Sequence, residues 1–427
     1  MLTRILHPSS QLCTFFEQLQ VELTQPQRRH LLNMADALLV CEDHKTLAAL
    51  QRQFVTAPDA SNMADFLRIS PWQANTVRQG LRVHQVKWLL AEAERLAAPQ
   101  VIYINIDDSL GEKGKKTRHL EPVAWHYDHS ESTKSKPRYK NGFCYVVCTM
   151  RVGRNVATIE LQLYMRQKTV RRLNHKRSKA KRIPFRTKYR IARQMLVDLK
   201  GLLPKGWSVY VQFDSWYASR RLIKFVRRQG WHVTCGLKHN RHFNGQRLDT
   251  HAQALKHRWY TKTTVTTADG EQRNYYVRRL DGRLAQVPHD VRVYFSKRHP
   301  REKSPAYIGC TDLTCSAKQA LQGYTWRWSC ETVNFYLKTQ LGLADFRVQS
   351  FEAVDKFIVV VHLAWAYVEQ RFALERAAQV KTYGDIVRRH RDEHAIDWLS
   401  GAIQMAIETG DADLVLDRFL RLEPQPA

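Results

Sequence analysis

Five runs of β-branched and aromatic residues, separated by helical or polar segments, constrain the fold of this chain more than any other feature. Three runs come first, and the fourth and fifth are each preceded by a helical pattern, at 185–203 and 218–230. The order β-β-β-α-β-α-β predicts an α/β fold with a mixed sheet, in which the second and third runs form a hairpin. The runs are VIYINIDDS (101–109), FCYVVCTMRV (143–152), VATIELQLYM (156–165), WSVYVQFDS (207–215) and HVTCGLK (232–238).

The segments around these runs differ in texture and predict the domain organisation. Residues 1–98 carry Leu, Ala and Gln at helical spacing, which predicts a helical N-terminal domain. Residues 239–305 are polar and alternate Thr, Tyr and Arg, which predicts a β-rich insertion between a first part of the central domain, 99–238, and a second part, 306–375. A helical C-terminal region is expected at 376–427.

The charge of the chain indicates a polyanionic partner, with nucleic acid the first candidate. Lys and Arg outnumber Asp and Glu by 68 to 40, giving a formal net charge of +28. Residues 166–193 contain thirteen Lys and Arg and no acid, which favours a phosphate-contacting segment over a merely solvated loop. The contacts are expected from Arg171, Arg172, Lys176 and Arg177.

No membrane segment is expected from the sequence. The first eleven residues lack the apolar stretch of a signal peptide. The longest apolar run, FIVVVHLAWAYV at 357–368, is too short to cross a bilayer. These features predict a soluble cytoplasmic protein with no membrane partner.

Acidic residues stand at three places where they can converge. The first run ends in Asp107 and Asp108, the fourth ends in Asp214, and Glu331 lies alone in the helical stretch YTWRWSCETVNFYLK (324–338). Mg²⁺ prefers carboxylate oxygens, and two such ions about 3.5–4 Å apart can activate a water and stabilise a leaving oxygen. The sequence therefore predicts a divalent metal site.

The stretch 324–338 has two faces if it forms one helix. Tyr324, Arg327, Glu331 and Lys338 fall within a stripe of roughly 60°. An apolar stripe on the opposite side is predicted to face the core, and the polar stripe is predicted to be exposed. An ordinary surface pair between Arg327 and Glu331 would contribute only about 0.3–0.5 kcal/mol. The apolar stripe consists of Trp326, Cys330, Val333 and Leu337.

Together these motifs resemble the cut-and-paste DDE transposases of bacterial insertion sequences, whose catalytic domain is ribonuclease-H-like. The subgroup with an inserted β domain carries the signature Y-x2-R-x3-E-x6-K, and this chain matches it at every spacing from Tyr324 to Lys338. DDS and FDSWYAS are similar to the first and second aspartate motifs. The resemblance implies a ribonuclease-H-like mixed sheet flanked by helices, with 99–238 and 306–375 as its catalytic parts.

The resemblance also implies the site. Asp108, Asp214 and Glu331 would be catalytic and would hold two Mg²⁺ or Mn²⁺ ions. Asp108 is chosen at the first motif because the family acid directly precedes Thr or Ser. A D-x-S pattern would favour Asp107 instead, and strict alternation puts the two acids on opposite strand faces. Tyr324, Arg327 and Lys338 would hold DNA phosphates. Trp328 and Trp259 are the two candidates for stacking on a base of the transposon end, and ordinary packing is the alternative for each.

The implied function is DNA transposition. Helices of the N-terminal domain would recognise terminal inverted repeats in double-stranded DNA, and the central domain would cleave DNA and transfer the freed 3′ end to target DNA. The family acts as homodimers on paired ends, associated with the bacterial nucleoid when bound to DNA. A ribonuclease-H-like structure-selective nuclease or resolvase, and a domesticated DNA-binding protein without activity, are the alternatives. Neither alternative explains both the signature spacing and the intact acids.

Overall fold

A ten-stranded mixed sheet forms the centre of the computed structural model, which describes residues 4–56, 59–128, 131–133, 135–255, 257–267, 270–376 and 380–420. A two-stranded hairpin, β7 with β8, lies beside it. The strands are β1 Val101–Glu112, β2 Ala124–Tyr127, β3 Tyr139–Val152, β4 Asn155–Tyr164, β5 Ser208–Phe213, β6 His232–Leu237, β7 His242–Phe243, β8 Gln246–Arg247, β9 Thr261–Thr266, β10 Gln272–Arg283, β11 Asp290–Lys297 and β12 Ala306–Cys310.

Helices cover both faces of the sheet and extend beyond it. Three short 3-10 turns, Lys179–Lys181, His257–Trp259 and Trp326–Trp328, also occur in the described residues. The α-helices are α1 Ser10–Gln18, α2 Gln25–Val40, α3 Leu47–Gln51, α4 Ala60–Arg68, α5 Ala74–Arg95, α6 Gln167–His175, α7 Lys188–Lys200, α8 Arg220–Arg228, α9 Leu248–Ala254, α10 Ala317–Thr325, α11 Ser329–Thr339, α12 Phe351–Glu375, α13 Tyr383–Thr409 and α14 Ala412–Phe419.

The strand connections follow the order expected from the sequence. β3 pairs antiparallel with both β1 and β4, and β1 pairs parallel with β5, which pairs parallel with β6. The central order is therefore β4-β3-β1-β5-β6, with α7 and α8 making the crossovers. This is the ribonuclease-H-like arrangement, and the predicted fold class is confirmed.

The β-rich segment 239–305 continues the same sheet. β12 pairs antiparallel with β6, and β11, β10 and β9 follow as antiparallel neighbours. The segment thus adds strands to one edge of the catalytic sheet, and β12 joins them to β6.

The N-terminal helices share a hydrophobic core with the long helix α12. α2, α4 and α5 all pack against α12, and α2 also packs against α13. The apolar run of α12 is buried there, with residues such as Val361 and Trp365 fully covered. Burial of this run explains its apolar composition. Within the described residues, no helix combines the length and the apolar character needed to cross a bilayer.

The stretch 324–338 is two helices and not one. α10 ends at Thr325, a 3-10 turn occupies Trp326–Trp328, and α11 begins at Ser329. Three members of the predicted apolar stripe are buried, whereas Trp326, which lies in the turn, is half-buried. The buried three are Cys330, Val333 and Leu337.

Candidate active site

Asp107 and Asp214 lie at neighbouring positions of the parallel strand pair β1 and β5. The last paired residues of this ladder are Ile106 and Phe213, so the two acids follow directly in register. Burial raises the pKa of the Asp107 carboxyl to about 6, while Arg327 opposes this rise and the charge of Asp214 adds to it. The two carboxylates are therefore close enough to interact.

Arg327 connects Asp107 to Glu331. Its Nη1 donates to Asp107 Oδ2 at 2.8 Å, and its Nη2 donates to Glu331 Oε1 at 3.1 Å. The arginine side chain is only 15% exposed. The prediction that this stripe is exposed is thus wrong for Arg327, because the 3-10 turn before α11 directs its side chain toward Asp107 on β1. A partly buried bridge between two carboxylates is stronger than a surface pair.

Lys338 and Tyr324 also face the sheet. Lys338 Nζ donates to Ser109 Oγ on β1 at 2.8 Å, and the Tyr324 ring lies 5.7 Å from the Arg327 guanidinium carbon. The structure therefore brings all four signature residues, Glu331 included, to the region of Asp107 within β1 and Asp214 just after β5.

Asp108 points to the other side of the sheet. It accepts a hydrogen bond from Lys188 Nζ at 2.5 Å, and the Cys144 thiol donates to it at 3.7 Å. Successive residues of a strand face opposite sides, and α7 covers the side of Ile106 and Asp108. The choice of Asp108 as metal ligand is not supported by this placement. The geometry favours Asp107, the alternative left open by the sequence.

Buried polar contacts fix α11 against the Asp107 face of β1. Asn105, two residues before Asp107, donates from Nδ2 to Ser329 Oγ at the start of α11 at 3.2 Å. Below it, Tyr103 meets Trp326 edge to face with ring centroids 4.9 Å apart. These contacts determine which face of β1 the glutamate helix covers.

The loop after β5 holds the second aspartate. Asp214 Oδ1 accepts from the backbone N–H groups of Trp216 and Tyr217, at 3.0 and 3.1 Å. Gly236 on β6 permits the close approach of Tyr324, since a Cβ there would lie 2.6 Å from the tyrosine Oη. The loop, the glycine and the tyrosine thus fit together beside Asp214.

A cavity of 1110 Å³ adjoins Arg327. It lies between the β3–β4 turn, the insertion strands and the starts of α11 and α13, and Arg151, Arg154 and Arg376 line it. Trp328 also lines it and is 60% exposed. Trp259 lies in the insertion, 39% exposed, with the Arg278 guanidinium carbon 5.9 Å from its ring.

The basic segment divides into exposed and paired cations. Arg171, Arg172 and Lys176 are exposed on and just after α6. Arg177 instead forms ion pairs with Glu121, at 2.7 Å, and with Glu352 at the start of α12. The expectation that Arg177 contacts DNA is therefore not supported, because its charge is already neutralised within the fold.

The donor set fits a hard divalent cation. Asp107, Asp214 and Glu331 offer carboxylate oxygens only, the ligand type that Mg²⁺ and Mn²⁺ prefer. In the described residues these oxygens do not yet form a close three-ligand group, and Arg327 stands between two of them. A metal ion held by both Asp107 and Glu331 would take the place of the contacts that Arg327 makes with them.

The sequence did not indicate that Lys188 and Arg151 lie near the site. Lys188 neutralises Asp108, and the Arg151 guanidinium lies 4.6 Å from the Trp326 ring beside the cavity. Lys188 lies inside the basic run, but the run contains no acid that would suggest a pair. Arg151 follows the apolar residues of its strand, and only its charge in that position could have indicated a functional role.

The raised pKa of Asp107 predicts that the free energies of unfolding of the wild type and of Asp107→Asn differ by an amount that depends on pH. The folded protein retains the Asp107 proton up to about pH 6, whereas an unfolded aspartate loses it near its ordinary pKa of 3.8. The stabilising contribution of this group is full below about pH 4 and is lost as the pH rises through 6. The Asp107→Asn variant does not lose stability in this way, because its amide does not titrate.

In metal-free buffer we therefore expect the free energy of unfolding of Asp107→Asn, relative to wild type, to rise by about 2–3 kcal/mol between about pH 4 and pH 7. Denaturant unfolding at several pH values measures it. A difference that is constant or falls with pH would contradict the raised pKa of the buried Asp107 carboxyl.

Comparison with known proteins identifies the family of this chain. The family described as DDE superfamily endonuclease matches residues 14–269, more than half of the chain, and the family described as transposase DDE domain matches 188–367. No curated protein sequence matches. A cryo-EM structure of a piggyBac transposase synaptic complex with hairpin DNA is 12% identical, with a TM-score of 0.46 over 100% of this chain and 87% of that one. The family matches span both aspartates and Glu331, and the chain belongs to the DDE superfamily of endonucleases.

Proposed function

We propose that this protein is a DNA transposase of the group that carries the Tyr-Arg-Glu-Lys signature in bacterial insertion sequences. The observation that carries the proposal is that Asp107 and Asp214 lie side by side on β1 and after β5, while Arg327 links Asp107 to Glu331. Family membership gives the reaction class, cleavage of phosphodiester bonds. The positively charged residues of the signature suit this reaction to an anionic substrate, the end of a DNA duplex.

The residues divide the work by their chemistry. Asp107, Asp214 and Glu331 would hold divalent Mg²⁺ or Mn²⁺, two ions by resemblance to the family, which activate a water and stabilise the leaving oxygen. Lys338 and Arg327 bind phosphate oxygens beside them, and Tyr324 orients the arginine. The freed 3′ hydroxyl then attacks target DNA.

DNA contacts outside the acids follow exposure and charge. Trp328 is the favoured stacking platform for a base, because it is exposed and lines the cavity next to Arg327, and Trp259 is the second candidate. The N-terminal helices recognise the terminal inverted repeats, and two copies of the chain bind paired ends. The protein acts in the bacterial cytoplasm, on the nucleoid while bound to DNA.

A cleavage assay on the DNA that flanks the reading frame tests this function. We expect strand cuts at the ends of short inverted repeats in Mg²⁺, joining of those ends to a target plasmid, and no cuts in EDTA. Cutting of branched junctions without regard to the repeats would indicate a resolvase. Binding of the repeats without any cleavage would indicate a domesticated DNA-binding protein.

The exposed cations of the basic segment predict a salt effect. Replacing Arg171, Arg172 and Lys176 with Ala should weaken binding to all DNA sequences about equally, because phosphate contacts carry no sequence information. The slope of log K against log salt should flatten by about 0.9 for each lost contact. Arg177→Ala is the matched control and should leave the slope unchanged, since Glu121 and Glu352 neutralise this arginine. Equal slopes in all proteins would make the segment a solvated surface.

A further inference from the structure

A buried aspartate and two histidines meet where the N-terminal and C-terminal helices pack together. Asp36 Oδ1 on α2 lies 2.7 Å from His390 Nε2 and 2.8 Å from His394 Nε2, both on α13. All three side chains are at most 2% exposed. Among the described residues, they form the one group of three ligand-type side chains whose donor atoms lie within 4.8 Å of one another.

The surroundings orient these groups. Asp36 Oδ2 accepts from the backbone N–H of Ser9 at 2.9 Å, so the other oxygen is left to face the imidazoles. His390 Nδ1 lies 3.3 Å from the Tyr367 hydroxyl, which also accepts a hydrogen bond from Arg371 at 3.0 Å. Metal-binding histidines commonly have such an outer partner on the second ring nitrogen.

We propose that Asp36, His390 and His394 form a transition-metal site, with zinc as its best-fitting ion. Two histidines four residues apart on one helix present both Nε2 atoms on one side, and the carboxylate of a second helix completes three protein ligands. Two imidazole nitrogens favour zinc over Mg²⁺, which prefers oxygen. The site shares no residue with the carboxylates of the DDE centre.

Metal binding replaces hydrogen bonds that are already present. In the metal-free protein each imidazole Nε2–H donates to Asp36 Oδ1. Zinc bonds of about 2.0–2.1 Å in tetrahedral geometry separate ligand atoms by about 3.3 Å, so the group opens by roughly half an ångström. Each neutral imidazole that binds zinc through Nε2 carries its proton on Nδ1, which in His390 faces the Tyr367 hydroxyl. Water takes the fourth position.

The consequence is a metal link between distant parts of the chain. Asp36 and His390 are 354 residues apart in sequence. An ion held by both α2 and α13 stabilises the packing of the N-terminal helices, because it binds the folded protein and no preformed site exists in the unfolded chain.

Zinc uptake by the purified full chain tests this site. The protein is treated with a chelator, titrated with zinc chloride in excess Mg²⁺ and desalted, and bound zinc is counted by elemental analysis. We expect one zinc ion per wild-type chain and loss of that ion in His390→Ala and in His394→Ala. Asp392→Asn, an exposed acid on the same helix, is the matched control and should retain the ion.

A second control separates this site from the DDE centre. The triple variant Asp107→Asn, Asp214→Asn, Glu331→Gln should bind zinc as the wild type does. Cobalt titration of the wild-type chain needs no substitution, and visible absorption bands of tetrahedral Co²⁺ that zinc abolishes are expected. Wild-type protein that takes up neither metal, or histidine variants that still bind zinc, would overturn the proposal and leave Asp36 as a hydrogen-bond acceptor only.

Discussion

Asp107→Asn, Asp214→Asn and Glu331→Gln are each expected to reduce DNA strand cleavage in Mg²⁺ by about 10³-fold or more. Each change removes the charge of a carboxylate that we propose as a metal ligand while keeping the shape of the side chain. A bound metal supplies several kcal/mol of transition-state stabilisation, and about 1.4 kcal/mol corresponds to a factor of ten in rate. Cleavage is measured by gel assay, and binding of the DNA end by mobility shift. Binding should largely survive, because these residues do not contact phosphate through a positive charge.

Asp108→Asn is the discriminating control. Asp108 lies beside Asp107 in sequence but faces Lys188 on the opposite side of the sheet. We expect this variant to retain most of its cleavage activity, with a modest loss of stability from the broken ion pair. The opposite result, an inactive Asp108→Asn and an active Asp107→Asn, would contradict the assignment of the metal site to the α11 face.

Arg327 stabilises the carboxylates of Asp107 and Glu331 in the absence of a metal ion. Its guanidinium pairs with Asp107, which is 18% exposed, and with Glu331, which is 37% exposed, so it neutralises charge on both carboxylates. A metal ion held by Asp107 and Glu331 would replace both of these contacts of Arg327. The arginine charge would then be available to phosphate groups of DNA, as the proposed function requires.

The second large effect concerns stability and lies on the other face of α11. Leu337→Ala should lower the free energy of unfolding by about 2–5 kcal/mol, because Leu337 is fully buried in the core shared with α12 and its loss leaves a cavity. Denaturant unfolding measures the change. Cleavage should fall mainly because less protein is folded.

Phe335→Ala is the matched control on the same helix. Phe335 is larger than Leu337 but 57% exposed, so its removal should change the free energy of unfolding by only about 0.5 kcal/mol. If Phe335→Ala unfolds early and Leu337→Ala does not, then α11 is rotated relative to the sheet and Glu331 does not face β1.

The sequence alone determined the order of the elements and most of the buried apolar positions. The β-branched runs match β1, β3, β4, β5 and β6, and the spacing of Cys330, Val333 and Leu337 correctly predicted a buried stripe. These features follow from local periodicity, which is two in a strand and 3.6 in a helix. Asp214 was found in the same way, because the fourth run ends where its strand ends.

Tertiary structure decided what those residues face. Alternation along β1 put Asp107 and Asp108 on opposite sides, but only the packing of α11 shows which side carries Glu331. Likewise, the burial of Arg327 and the ion pairs of Arg177 depend on partners up to 220 residues away. Asp36 and its two histidines are farther apart still. A periodic pattern defines the two faces of an element, whereas the partner on each face is chosen by contacts between segments that no local pattern records.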